Sequence, residues 1–244
     1  MMFDWYWYFV FYLLLFHVKC TVHTIYVHRT VGHGHFIVSK PLEYFFRFIL
    51  WTGSQAGPRW AETYASRHRK HHATSDSDQD PHSPYNMTFQ EMCTNWKVDP
   101  LDADRYCPEI KTPDDWMQKT LHEKYNNVGP WAIHILSLIL FGPIGFILSV
   151  VMRYLTKDWL SIFVGNYINH KFGFDYAGHR HPTDKSKNVF PLGLLLAGEE
   201  LHNNHHNCPK EPNFRKFWFE IDLGYVYAKI LSYMGLLKIK KEIK

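Results

Sequence analysis

Three clusters of histidine carry the chemistry open to this sequence. The stretch GEELHNNHHNCP places His202, His205 and His206 within five positions, and SRHRKHHATSD repeats that spacing with His68, His71 and His72. Earlier, VHRTVGHGHF supplies His28 and His33. Positions i, i+3 and i+4 of an α-helix share a face, so each HxxHH triplet can aim its imidazoles the same way. His28 and His33, five apart, lie on different faces of one helix and converge only if it ends between them, which Gly32 and Gly34 allow.

Neutral imidazole is a good ligand for zinc, copper and iron. A lone HxxHH also describes a solvated helix face, but three clusters at the ends of apolar segments point to metal. One tetrahedral zinc uses four ligands or fewer, so eight or nine histidines need two metals of higher coordination. A ferritin-like di-iron site would use paired Glu-x-x-His motifs; Glu199-x-x-His202 supplies one copy and nothing supplies the second. The HExxH motif of zinc peptidases does not occur.

The elements that must position these groups are apolar helices. The chain has 244 residues, which suits one domain over 1–244, and 17% of them are aromatic, as in a membrane-interface belt. Apolar residues concentrate in WYWYFVFYLLLF (5–16) and WAIHILSLILFGPIGFILSVVM (131–152), while 66–127 is polar. Segment 3–27 is long enough to cross a bilayer once and, lacking a basic start and a cleavage site, reads as a retained anchor. PLEYFFRFILWTGSQAGPRW (41–60) reads as an amphipathic helix in the membrane surface. TPDDW predicts a helix start with Thr112 as N-cap and Pro113 at the first helical position. Residues 126–141 and 145–169 form a helical hairpin broken at Gly142-Pro143, which returns the chain to the side it left.

The basic ending LLKIKKEIK suits anionic headgroups. No basic stripe runs through the body of the chain, which argues against nucleic acid. Cys20, Cys93, Cys107 and Cys208 form no CxxC and read as reduced thiols facing a cytosol-like compartment, with a Cys93–Cys107 bridge as the one pairing to consider. The expected class is all-α: multi-pass membrane helices under a cytosolic, helical, histidine-rich cap.

HRTVGH, HRKHH and HNNHH, in this order and spacing, resemble the integral-membrane fatty acid desaturases. SDQDPHSP after the second cluster, NYINH before the third and FWFEIDLGYVYAKILSYMGLLKIKK near the end agree. The similarity covers about residues 10–235 and is closest to the bacterial-type Δ9 acyl desaturases. The resemblance implies two iron ions held by His28, His33, His68, His71, His72, His170, His202, His205 and His206, with Asn166 binding through a water. It implies O2 as co-substrate, a fatty acyl substrate on CoA, a carrier protein or a lipid ester, and an electron donor of ferredoxin, rubredoxin or cytochrome b5 type. The product would be a cis double bond, at Δ9. Three departures touch the substrate's surroundings: Gly34-His35 where relatives have a second Arg, Tyr64 where many have Trp, and GHRHP in place of a GYRN-type sequence.

Nine neutral ligands leave the metals' charge uncompensated, so nearby carboxylates must orient the imidazoles; Glu199, Glu200, Asp78 and Asp80 are the candidates. Asp78 and Asp80 also read as a solvated turn before Pro81. His17, His23, His35, His82, His122, His134, His179 and His181 read as structural or solvated. Arg29 and Arg69 could bind an acidic headgroup, a neighbouring carboxylate or water, and Arg67 and Lys70 read as surface charges suited to an acidic electron donor. The rival readings are a fatty acyl or lipid hydroxylase or ketolase on the same scaffold, and a non-catalytic metal- or haem-binding membrane protein.

Overall fold

In the computed structural model, which describes residues 5–94, 100–157, 166–189 and 196–240, helix α1 (Trp5–Val22) runs without a break into a π-helical segment, His23–Gly32. The two halves of this rod differ in surroundings. Phe9, Leu13, Leu14 and Val18 are exposed, whereas Ile25, Tyr26 and Val27 are buried against helices α2 (Lys40–Thr52) and α3 (Trp60–Thr74). Leu42, Phe46, Leu50, Trp60 and Ala65 complete that core. Helices α4 (Phe89–Thr94) and α5 (Pro100–Tyr106) follow, and α5 packs along α3.

The predicted helix at TPDDW starts later than expected. Thr112 is drawn to α3, where its amide and hydroxyl both donate to Glu62 Oε2. Asp115 caps instead, accepting from Gln118 N at 2.9 Å, and a π-helical turn covers Gln118–Lys124. Asp115 also grips the buried Arg47 guanidinium at 2.5 and 2.8 Å, fixing α2 against this turn.

Helix α6 (Gly129–Lys157) is a hairpin. Gly142 has φ 71° and ψ −163°, a conformation open essentially to glycine. His134 Nδ1 lies 2.7 Å from Ser149 Oγ, fifteen residues on, where a straight helix would hold them about 22 Å apart. The first arm, 129–141, is therefore about 20 Å long. Tyr8 and Tyr12 of α1 pack against Phe141 at the tip. Ile135, Leu138, Ile139, Ile144, Ile147 and Val151 are exposed, so the hairpin and the outer half of α1 present one kind of surface. By length and composition, Trp7–Gly32 and Gly129–Arg153 are each apolar enough to cross a membrane. The end of the second arm (158–165), the start of PLGLLLAG (191–195) and residues 241–244 of the basic ending lie outside the described residues.

The chain is mostly helical, with α7 (Asn169–Lys171), α8 (His202–Asn207) and α9 (Leu223–Tyr233) completing it. One departure from all-α is a two-stranded antiparallel sheet. Strand β1 (Phe36–Val38) pairs with β2 (Leu237–Ile239), in register Phe36 with Ile239 and Val38 with Leu237. Part of the basic ending is thus a strand, because Leu237 buries its side chain beside Phe36. Cys107 is a free, buried thiol, so no Cys93–Cys107 bridge forms.

Candidate metal centre

Four elements bring nine histidines together in two sets. His28, His33, His68, His72 and His205 form one; His71, His170, His202 and His206 form the other; within each set one ring nitrogen per residue lies within 4.8 Å of all the rest. Each HxxHH helix serves both. On α3 the i, i+4 pair His68 and His72 faces the first set and His71 the second, while α8 sends His202 and His206 to the second and His205 to the first. The helix ends between His28 and His33, at Gly32, with His33 as its C-cap. Its π-helical last turn is closed by an i→i+5 hydrogen bond, His33 N to His28 O at 3.1 Å, and the two rings stand 5.2 Å apart. Gly34, at φ 69°, then turns the chain into β1.

The ring nitrogens face one another. Nε2–Nε2 distances are 2.7 Å for His33 and His68, 2.9 Å for His28 and His205, and 3.1 Å for His68 and His72. In the second set they are 3.1 Å for His170 and His202 and 3.2 Å for His71 and His206. For His71 and His206, partners on the far nitrogens argue against a hydrogen bond between two neutral rings. His71 Nδ1 donates to Asp80 Oδ2 at 2.8 Å, and His206 Nδ1 lies 3.3 Å from Asp184 Oδ1. With protons on both Nδ1 atoms, the two Nε2 atoms present lone pairs to each other, an arrangement that a cation between them stabilises. With metal–nitrogen bonds of 2.0–2.1 Å, tetrahedral ligands would sit about 3.3 Å apart and right-angled ones about 2.9 Å. The two shortest spacings, both in the first set, fall with the second value, and that set of five exceeds tetrahedral zinc outright; the spacings of the four-histidine set lie between the two values. The donor sets fit two metals, the first of high coordination.

Carboxylates stand behind the rings. Glu199 accepts from His28 Nδ1 at 2.7 and 2.8 Å, and Asp76 Oδ2 from His170 Nδ1 at 2.7 Å. Of the four expected carboxylates, Glu199 and Asp80 lie behind imidazoles, and Asp78 is exposed in the turn. Glu200 is buried with both oxygens lacking a hydrogen-bond partner, and burial pushes its carboxyl up to about 8. Asp76 and Asp184 were not anticipated. The run SDSDQDP offered three aspartates at alternate positions, and only the turn geometry turns Asp76 and Asp80 inward and Asp78 out. Despite burial, hydrogen bonding and charge from His170 hold Asp76 well below the usual carboxylate range, and His28 with Arg29 does the same for Glu199. Burial, with neighbouring imidazoles adding, presses His33, His68, His72, His202, His205 and His206 far below the ordinary histidine value. His71 is the exception: burial opposes its proton, but Asp80, Asp76 and Asp184 outweigh that and raise it.

Asn166 is buried one turn before His170. Among the other histidines, His35 stacks on His33 at 5.1 Å and donates to Pro209 O, and His82 packs 4.3 Å from His71 with both nitrogens buried. His17 meets Tyr227 Oη, and the buried His122 lies in the Gln118–Lys124 turn. Of the arginine and lysine expectations, the carboxylate alternative holds for Arg29, and those for Arg67 and Lys70 change. Arg29 is fully buried, bidentate to Asp222 at 2.9 and 2.7 Å and 3.7 Å above the Phe214 ring, so it braces the centre and does not face water. Lys70 pairs with Asp102, and Arg67 donates to Pro81 O, which leaves neither as a free docking charge. Gly198, at φ 98°, lets the chain pass directly over the Arg29–Asp222 pair.

Comparison with known proteins identifies the family. The family model "Fatty acid desaturase" matches residues 4–215. The chain is 33% identical to the sn-1 stearoyl-lipid 9-desaturase of Synechocystis over 218 residues, 88% of this chain and 65% of that protein. It is 32% identical to the sn-1 stearoyl-lipid 9-desaturase of Anabaena variabilis, over 87% of this chain and 76% of that one. It is 29% identical to the acyl-CoA C20 Delta5-desaturase of Anemone leveillei, over 90% and 70%. The chain thus spans about two thirds to three quarters of these relatives. With the family model matching along the segment that carries all nine histidines, the chain belongs to the fatty acid desaturase family.

Proposed function

We propose that this chain is a membrane-bound, O2-dependent desaturase that introduces a cis double bond, at Δ9, into a saturated fatty acyl chain. The observation that carries the reading is the pair of largely buried imidazole sets whose Nε2 atoms face one another. His28, His33, His68, His72 and His205 would hold one iron and His71, His170, His202 and His206 the other, with Asn166 holding a water. Irons bound there would supply, with O2 and two electrons from outside, the oxidant that an unactivated methylene requires. The balance closes: the acyl chain gives two hydrogens, the donor two electrons with two protons, and O2 leaves as two waters.

The chain's own residues set the conditions for that chemistry. Glu199, Asp80, Asp76 and Asp184 accept from Nδ1 of His28, His71, His170 and His206 and so leave those Nε2 atoms free to bind metal. Burial keeps His33, His68, His72, His202, His205 and His206 neutral. Arg29, tied to Asp222, stands 3.8 Å from Glu199 and helps fix that carboxylate behind His28.

The acyl carrier is a CoA, a carrier protein or a lipid ester, since relatives named for acyl-CoA and for stearoyl-lipid are similarly close. The electron donor is of ferredoxin, rubredoxin or cytochrome b5 type. In the bilayer, α1 and the α6 hairpin are embedded and the histidine cap stands on the cytosolic face; the short first arm supports a hairpin that returns to the side it entered.

The test is the fatty acid profile of a host expressing the chain, with double bonds localised by mass spectrometry. A new monounsaturated acid, absent with His205→Ala, is expected. A hydroxylated product would replace the desaturase reading with the hydroxylase one.

A further inference from the structure

A second charged site lies away from the histidines. A cleft open to its surroundings separates α1, the end of α2 and the two arms of the hairpin. Its polar lining is Tyr12, Lys19, Thr52, His134, Ser149 and Arg153. Lys19 and Arg153 are close enough to repel each other. Among the described residues no carboxylate lines the cavity, and neither cation takes part in an ion pair. Two like charges converging on one half-buried space without a counter-charge need an anion.

Their height along the helices says which anion. Exposed Val18 directly precedes Lys19 on α1, and exposed Val151 lies two residues before Arg153 on the hairpin, whose first arm opens with exposed Trp131. Both cations therefore border lipid-facing surface, with a tryptophan of the kind that marks the headgroup level at the same end of the hairpin. Lys19 is nine residues before His28, about 14 Å along the helix, so the cavity is separate from the metal centre. That level of a bilayer holds the phosphates of the lipid headgroups, and basic pockets between helices bind them. We propose that this cavity binds the phosphate of an anionic phospholipid headgroup, with the acyl tails lying along the exposed faces of α1 and α6. Thr52 and Ser149, which line the same space, donate their hydroxyls to Ile49 O and Phe146 O, so the two cations carry the phosphate contact. The proposal rests on the bilayer placement above, which is checked separately by whether the protein stays with membranes through alkaline carbonate extraction.

The test titrates the metal-loaded full-length protein, in a neutral detergent, with dioctanoyl phosphatidylglycerol, stearoyl-CoA and inorganic phosphate, following the shift in Tm. Each basic side chain beside a lipid phosphate contributes roughly fivefold in affinity, so Lys19→Gln with Arg153→Gln is expected to weaken phosphatidylglycerol binding about 25-fold. Stearoyl-CoA binding is expected to be unchanged. The charge-preserving Lys19→Arg with Arg153→Lys should retain phosphatidylglycerol binding, and if the double Gln variant fails to fold, each single Gln variant should still show its fivefold loss. Phosphatidylglycerol binding equal in wild type and Gln variants overturns the site. Loss of stearoyl-CoA binding with phosphatidylglycerol unaffected overturns the lipid and assigns the phosphate to the CoA carrier. Binding of inorganic phosphate alone reduces the site to an adventitious anion.

Discussion

Asp76→Asn removes one charge from behind the four-histidine set while keeping its shape. Asp76 Oδ2 accepts from His170 Nδ1 at 2.7 Å and from Lys185 N at 2.9 Å, and Oδ1 accepts from Ser83 Oγ at 2.6 Å. An asparagine can offer its oxygen to His170 and Lys185 and its amide to Ser83, whose hydroxyl can turn to accept. Only the charge is lost. A hydrogen bond to a charged group contributes about 1.5–3 kcal/mol and a neutral one about 0.5–1.5, so His170 should lose on the order of 1–1.5 kcal/mol of support. That is about tenfold in metal affinity, at the lower end of the 10–100-fold typical for such partners. The assay is iron per chain by mass spectrometry after incubation with graded chelator. Asp76→Asn should release one of two equivalents at about tenfold lower chelator, with the other unchanged. Asp78→Asn, two residues away and exposed, should match wild type. Identical curves for the two variants, or loss of both metals together in Asp76→Asn, would refute the division of the histidines between two separately supported metals.

Three further outcomes are expected. Arg29→Gln strands Asp222 in the core, and breaking a buried pair of this kind costs about 3–5 kcal/mol; chemical denaturation in detergent reads it, and a loss below about 1 kcal/mol would mean the pair does not brace the centre. Gly142→Ala forces a side chain into a backbone conformation costing on the order of 1–3 kcal/mol, so Tm should fall, and an unchanged Tm would argue against the fold-back at that residue. In metal-free protein, six histidines have folded pKa values depressed below the unfolded value of about 6.5, so the unfolded chain takes up protons first. Stability is then complete above that pH and falls below it, by about 1.4 kcal/mol per pH unit for each such histidine. A Tm that holds flat from pH 7 to 5 after chelation would contradict the buried, neutral rings.

The histidines were legible because metal ligation demands one residue type at helical spacing, and HxxHH states both. The hairpin was legible for a similar local reason, Gly142-Pro143 inside an apolar run. What stayed hidden depends on long-range partners. Nothing near Arg29 names Asp222, 193 residues away, and the pair draws the guanidinium fully inside. Thr112 would cap a helix in isolation, but Glu62 of α3 competes for its hydroxyl and wins. The π-helix is likewise invisible to a 3.6-residue period, since its signature is a hydrogen bond one residue longer. Lys238 reads as a tail residue until Phe36 supplies the apolar neighbour that makes its segment a strand.

The pairing of β1 with β2 and the contact of His28 with His205 also set the order of assembly during synthesis. His28 and His33 emerge first, yet His205 follows 177 residues after His28, and the strand that anchors Phe36 comes at the far end of the chain. At about 5–20 residues per second a ribosome needs roughly 10–35 s to cover that distance. During that interval the nascent chain displays loose imidazoles able to bind the wrong ion, and the five-histidine set does not exist. On the proposed two-metal reading neither set is complete until His205 and His206 have emerged, and a stalled or truncated product ending before residue 237 would lack the strand that pairs with β1.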